Sequence, residues 1–251
     1  MSSHGEGGVD KLVLERFFRG EQRGVFVDIG AARPDFLSMS ALFRENGWKV
    51  ILIEPNPFFC DLHRKAGHEV LQFACADYDA DDVAFSVVDS LGQEYRDGQV
   101  SFESFSSLSV KESYRRLRPD LPVREIRVSV RRLDTLLRQH APDVKKIDVL
   151  SIDVEGWELE VLRGLSLETY RPTVIIMENF LDDPGYSRFM SRHGYLLWTY
   201  DAPNDIYVDG AAVPAGERLH LRARTIAAVW RRSLKSTVVH LGRRLRGQQR
   251  S

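Results

Sequence analysis

Short apolar runs, each closed by an acid or a small residue, recur along the chain. The first lies over residues 24–29, where Val25, Phe26, Val27 and Ile29 surround Asp28 before Gly30, Ala31 and Ala32. A continuous run of this length reads as a strand buried on both faces, as in a parallel sheet, followed by a tight turn. Residues 49–53 repeat the pattern and end at Glu54. A third strand is predicted over 69–74, a fourth over 146–152 before Asp153, and a fifth over 172–178 closing on Glu178. Between them the period changes. Leu12, Val13, Leu14, Phe17 and Phe18 make a helical stripe within 9–23, with Asp10 as a candidate cap. A helix capped by Asp35 or Ser38 carries Leu37, Met39, Leu42 and Phe43 and stops at Asn46 and Gly47. Asn56 caps a helix over 57–66, with Pro57 in the favoured first position. Further helices are predicted over 132–140, 157–165 and 183–193, and further strands over 195–200 and 205–208. Strands that alternate with helices predict a doubly wound, mostly parallel α/β sheet with helices on both faces.

The alternation is interrupted over about 83–130. Residues 83–88 and 124–130 alternate like antiparallel strands, while 90–122 is rich in Ser, Phe, Tyr and Arg. A segment this long in a compact domain is often a lid or a binding element. In it, Phe102, Phe105 and Tyr114 with Arg115, Arg116 and Arg118 could grip an acceptor, with core packing of the rings as the plainer account.

Composition adds one asymmetry. Of the 35 basic and 36 acidic residues in the 251-residue chain, eight Arg, one Lys and no acid fall in 222–251. The remainder therefore holds 26 bases against 36 acids, a net charge of −10 opposite a tail of +9. Over 227–245, Val229, Trp230, Leu234, Val238, Leu241 and Leu245 recur near helical spacing among the bases. A basic amphipathic helix with Trp reads as a membrane-surface or partner helix, and a terminal helix packed on the domain is the alternative. Nucleic-acid binding is not expected of an acidic body without a reading motif. Cys60 and Cys75 are too few for a disulfide framework and fit no zinc spacing. No apolar signal segment or bilayer-length run is present, so the chain reads as cytoplasmic, soluble or peripheral at the inner membrane surface. Nothing in the sequence sets an oligomeric state.

The chemistry concentrates at the strand ends. Glu54 stands where a carboxylate can accept hydrogen bonds from both hydroxyls of a ribose. A dinucleotide site would want G-x-G-x-x-G after the first strand, but Ala32 takes the second glycine's place and Asp35 the third's. Asp28 would repel a diphosphate and could hold a cationic amino-acid group, which favours S-adenosylmethionine over a nicotinamide cofactor.

These blocks resemble the FkbM-type methyltransferases. The similarity is carried by Phe26-Val27-Asp28-Ile29-Gly30-Ala31, Ile53-Glu54-Pro55-Asn56-Pro57, Arg132-Leu133-Asp134-Thr135-Leu136 and the run from Ile152-Asp153-Val154-Glu155-Gly156 to Leu162-Arg163-Gly164. It runs from about Gly24 to Tyr200 and implies a Rossmann-like, seven-stranded class I domain, placed over 24–210, between the N-terminal tail and helix over 1–23 and the basic tail over 222–251 that the pattern and charge mark out. It further implies S-adenosylmethionine as cofactor and a hydroxyl of a saccharide, glycan or related natural product as methyl acceptor. By position, Asp28, Gly30 and Ala31 would border the methionine part, Glu54 with Pro55 and Asn56 the ribose, and Asp77 the adenine. Ser151 stands where the family often carries lysine.

Asp153, with Glu155 and Glu178 nearby in the pattern, is the candidate proton acceptor, although acids in a first helical turn also cap helices. Asp153 with Glu178 and Asn179 also resembles the oxygen set of catechol-type O-methyltransferases, which would suit magnesium. The alternatives are an NAD-dependent oxidoreductase, which the missing glycines disfavour, and a nucleoside-binding accessory protein without chemistry.

Overall fold

The computed structural model describes residues 3–21, 23–88, 94–95, 100–101, 106–108 and 122–248, with side chains in the last helix as far as Lys235. Phe102, Phe105, Tyr114, Arg115, Arg116 and Arg118 lie outside the described residues. The chain forms two compact units, Met1–Glu178 and Asn179–Ser251.

In the first unit, helix α1 (Val9–Phe17) precedes strand β1 (Val25–Ile29), helix α2 (Ala41–Glu45), strand β2 (Lys49–Ile53) and helix α3 (Pro57–Lys65). Strands β3 (Val70–Leu71), β4 (Ala74–Cys75) and β5 (Ala80–Val88) follow, then the short β6 (Glu94–Tyr95) and β7 (Val100–Ser101). Strand β8 (Val123–Arg131), helix α4 (Leu133–His140), strand β9 (Val149–Ile152), helix α5 (Glu158–Arg163) and strand β10 (Val174–Glu178) complete it. Its main sheet is parallel, in the order β3-β2-β1-β9-β10. The chain winds outward from β1 to β3, then returns to the other side of β1. That reversal between β1 and β9 is the place where open α/β sheets bind ligands.

The central strands are almost wholly buried: Phe26, Val27, Val149, Leu150, Val174 and Ile175 have essentially no exposed surface. Each large apolar side chain so buried contributes about 1.5–3 kcal/mol, which is why these strands read as continuous apolar runs. Asn56 caps α3 by accepting from the Phe58 N–H at 3.0 Å, behind Pro57 in the first turn, as the sequence predicts.

Four local expectations change. The first helix stops at Phe17, and Asp10 does not cap it. Its carboxylate instead accepts from the Ser3 hydroxyl and, at 2.8 Å, from the His4 N–H. Helix α2 starts at Ala41 behind Ser40, beyond both Asp35 and Ser38. The strand expected over 69–74 divides: β3 joins the main sheet, while β4 pairs with β8 in a second sheet of order β4-β8-β5. In that sheet β5 and β8 run antiparallel, with Val83 opposite Val128 and Phe85 opposite Ile126. The alternation read at both ends of the insertion is therefore one folded sheet over an apolar cluster of Ala74, Ala76, Phe85, Val87, Val128 and Val130.

The second unit contains helix α6 (Pro184–Arg192), an antiparallel hairpin of β11 (Tyr195–Asp201) and β12 (Asn204–Asp209), and helix α7 (Ala215–Gln248). The five parallel strands of the first unit and this pair bring the count to the seven expected. Asp183 caps α6 by accepting from the Gly185 N–H at 2.7 Å. Helix α7 begins twelve residues before the predicted 227, and its inward face explains why. Leu221, Thr225, Ala228 and Arg232 are the buried residues of that face. Arg232 is bidentate to Asp205 at 2.6 Å on both arms and pairs with Asp182 at 2.5 Å. Asp205 also accepts from the Tyr207 hydroxyl and the Asn179 amide. A buried charge persists only when paired and hydrogen-bonded in this way.

Candidate functional site

Register aligns the chemistry. Ile29 pairs with both Ile53 and Ile152, and Ile152 pairs with Met177. The residues one step further along, Glu54, Gly30, Asp153 and Glu178, therefore stand side by side at the carboxyl edge of the sheet. Gly30 is in the left-handed region at φ +79°, and a Cβ there would lie 1.8 Å from the Asp153 carbonyl oxygen. Only glycine allows β1 and β9 to approach so closely at this turn.

The turn after β1 folds its own donors inward. The N–H groups of Gly30 and Ala31 both point to the Ile53 carbonyl, at 3.0 and 3.3 Å, and the Ala32 N–H donates to the Glu54 carboxylate at 3.0 Å. None of the three is left to cradle a diphosphate, the contact on which dinucleotide sites depend. Glu54 accepts a second bond, from the Asn56 N–H at 2.7 Å, so its carboxylate is fixed in orientation.

The turn opens on a crevice lined by Gly30, Ala32, Glu54, Pro55 and Asp153. Its remaining walls include Phe59, Phe73, Phe85 and Trp157, with Cys75 and Ser106–Leu108. Trp157, just before α5, is thus part of the crevice wall. The phenyl rings escaped the sequence reading because each sits inside an apolar run that signals core. The insertion sheet supplies part of the wall through Phe85.

The other candidates are placed as follows, among the described residues. Ala31 and Asn56 are buried behind the turn and hold its backbone and the α3 cap. Asp28 is buried beside Ser151, its cross-strand partner, and Ser40, with the Arg44 guanidinium acting on it. Burial pushes its carboxyl up to about 6 against the pull of those neighbours. Asp77 is exposed, and its carbonyl accepts from Arg132 at 3.0 Å. Arg132 and Asp134 therefore act as supports: the Arg132 N–H also binds Asp79 at 2.6 Å, and Asp134 accepts from the Ser166 N–H at 2.9 Å. Gly164 belongs to the same support, since a Cβ there would lie 2.2 Å from the Ala76 carbonyl oxygen.

Asp153, Glu155 and Glu178 converge, each offering an oxygen within 4.8 Å of the others. Asp153 is exposed toward the crevice, whereas Glu155 and Glu178 are buried. Loss of water and crowding by Glu158, Glu6 and Asp28 push the Asp153 carboxyl up to about 7. Burial first, then the neighbouring acids, hold Glu155 and Glu178 well above the usual carboxylate range. Glu155 Oε2 and Glu178 Oε2 are buried without a hydrogen-bond partner among the described residues. Glu158, which the sequence reading passed over, accepts from the Val154 and Gly156 N–H groups at 3.2 and 2.9 Å and shapes the loop that presents Glu155 at φ +56°. The donor set is all oxygen, the kind that suits magnesium or calcium. Asn179 is not part of it. Its amide nitrogen donates to the Asp183 carbonyl and to Asp205, and its oxygen accepts from the Asp183 N–H at 2.8 Å, so Glu155 takes the place the sequence assigns to it.

Glu54 gives a pH dependence with a definite sign. Burial raises its pKa from 4.5 to about 7 and that of Asp28 from 3.8 to about 6. Between the unfolded and folded values the native state binds a proton that the unfolded chain has released, so stability falls as pH rises through that window. The ligand-free protein is expected to lose melting temperature from about pH 5 to about pH 8, and Glu54→Gln to flatten the loss. Parallel curves for the two proteins would contradict the assignment.

The fold is that of the doubly wound α/β proteins that take ligands at the reversal of the sheet. The family model for the methyltransferase FkbM domain matches residues 28–197, and the chain belongs to that family. Methyltransferase sdnD of Sordaria araneosa is 36% identical over 81 residues, covering 25% of this chain and 31% of that protein. A solved FkbM methyltransferase from Methylobacillus flagellatus KT aligns at 15% identity and a TM-score of 0.43, over 76% of this chain and 46% of that one. The chain thus spans less than half the length of these relatives. Among the described residues, no helix is long and apolar enough to cross a membrane.

Proposed function

We propose that this chain is an S-adenosylmethionine-dependent methyltransferase that acts on a hydroxyl oxygen of a saccharide, glycan or related natural product. The observation that carries the reading is the turn after β1, whose N–H groups are spent on Ile53 and Glu54. Such a turn suits a nucleoside without a diphosphate. S-adenosylmethionine supplies an electrophilic methyl carbon when bound. Glu54, oriented by two backbone donors, has lone pairs left to accept from a pair of ribose hydroxyls. The aromatic walls suit a flat base. Asp153 is the side chain at the edge of β9 that is both exposed to the crevice and basic near neutrality, so it accepts the proton that the acceptor hydroxyl gives up.

A second reading of the acidic group is favoured by the unpartnered oxygens of Glu155 and Glu178. In it, Asp153, Glu155 and Glu178 hold a hard divalent cation such as magnesium, which neutralises the three carboxylates and orients the acceptor. Binding of S-adenosylhomocysteine by the intact chain, measured against NAD, tests the main reading. Chelation and variants of the acidic group separate its two forms.

A further inference from the structure

Helix α7 is apolar on the wrong side. Leu221, Thr225, Ala228 and Arg232, spaced i, i+4, i+7 and i+11, form its buried face. Leu219, Ile226, Trp230 and Leu234 fall on the opposite side at i, i+7, i+11 and i+15. They are 73%, 58%, 66% and 63% exposed, the highest values among the large apolar side chains described. Ala223 and Ala227, also exposed, fill the same stripe. A contiguous apolar line turned to solvent marks an interaction surface, because isolated helical packing would have turned it inward.

Charge selects the occupant. Arg222 and Arg231 flank the stripe and are exposed, and from Arg222 onward the chain holds nine basic residues and no acid. Two copies packed through this face would bring two sets of these nine basic residues together, of which only Arg232 and Lys235 are paired with acids among the described residues. An anionic bilayer supplies the opposite sign and an apolar layer beneath it, with the stripe and its Trp at the depth that interfacial helices occupy. The helix is 34 residues long, about 50 Å at 1.5 Å per residue, enough to lie along a membrane plane. Its other face is fixed to its own unit by Arg232, so the exposed line is held ready rather than folded on binding.

We infer that the face of α7 carrying Leu219, Ile226, Trp230 and Leu234 docks on the surface of an anionic lipid bilayer. This goes beyond the methyl-transfer reading and does not depend on it.

Vesicle flotation of the full chain tests the inference. The intact protein is expected to float with phosphatidylglycerol-containing vesicles at about 0.1 M salt, and less at higher salt as screening shortens the Debye length below about 10 Å. It should remain at the bottom with phosphatidylcholine alone. Ile226→Glu with Trp230→Glu should weaken vesicle binding by at least about tenfold while leaving the melting temperature unchanged, because both positions are exposed. Failure of the intact protein to float, or equal flotation of the double variant, would overturn the inference. So would sedimentation as a dimer that the double variant converts to monomer, which would assign the stripe to a second copy. S-adenosylhomocysteine affinity, measured alongside, is expected to be the same in both proteins, so a failed membrane test leaves the methyl-transfer reading separately readable.

Discussion

Asp153→Asn is expected to keep S-adenosylhomocysteine affinity within a few-fold and to lower turnover by about 10²–10⁴-fold, the usual contribution of a positioned general base. The amide preserves size and leaves intact the Asp153 N–H bond to the Ile29 carbonyl, so β1 and β9 keep their register. What it removes is the carboxyl whose pKa near 7 makes it an effective proton acceptor at the crevice wall. Turnover unchanged from the parent would rule out the role. The same assay distinguishes the two forms of the acidic group. If Asp153 works as a base alone, chelation leaves the parent fully active. If the group seats a cation, chelation abolishes turnover, added magnesium restores it, and Glu155→Gln fails in the same way as Asp153→Asn. Glu155 is the informative partner because, among the described residues, its buried Oε2 has no hydrogen-bond donor that the substitution would disturb.

Gly30→Ala is expected to damage both the fold and the pocket. The added Cβ would sit 1.8 Å from the Asp153 carbonyl oxygen, a backbone atom that can move only if β1 and β9 separate. The left-handed φ of +79° adds a penalty of about 1–2 kcal/mol for any residue with a side chain. Together these predict a loss of about 3 kcal/mol or more and a fall in melting temperature of roughly 6–12 °C. Gly164→Ala is the matched control, since its Cβ would meet the Ala76 carbonyl oxygen at 2.2 Å, away from the turn. At a temperature where both variants are folded, Gly30→Ala should bind S-adenosylhomocysteine at least about tenfold more weakly than Gly164→Ala, because only Gly30 sets the path of the Ala32 N–H to Glu54. Equal affinities would separate the turn from the binding site.

Much of this site could be read from the chain before any coordinates. Strands buried on both faces cannot alternate, so Phe26 to Ile29, Val50 to Ile53 and Val149 to Ile152 stood out as apolar runs, and the acids just past them marked the ligand edge. Three features resisted. The divided strand at Val70–Leu71 and Ala74–Cys75 consists of two-residue pieces, and residues so few carry no sign of which sheet they join. That Glu155 rather than Asn179 completes the oxygen set with Asp153 and Glu178 depends on a positive φ in the loop after β9, which spacing along the sequence does not encode. Helix α7 misled the periodicity itself. Its inward face is held by Thr225 and by a buried Arg232 paired with two aspartates, while its apolar stripe faces solvent, so the pattern found the helix late and on its outer side.

Asp28 shows the same limit at the centre of the site. Its place before Gly30 suggested a partner for a cationic ligand group, but the side chain lies among Ser40, Ser151 and Arg44, a position fixed by packing across β1 and β9 and from the segment before α2. For Glu54 a short backbone route, from Ala32 and Asn56, dictates where its carboxylate points.

Isothermal titration of the intact chain with S-adenosylhomocysteine and, separately, with NAD is the most direct test of the central claim. The account predicts saturable binding of S-adenosylhomocysteine with a dissociation constant on the order of micromolar, weakened at least about tenfold by Glu54→Gln, and no saturable heat with NAD. Binding of NAD, or no binding of S-adenosylhomocysteine by a protein that melts cooperatively, would contradict it.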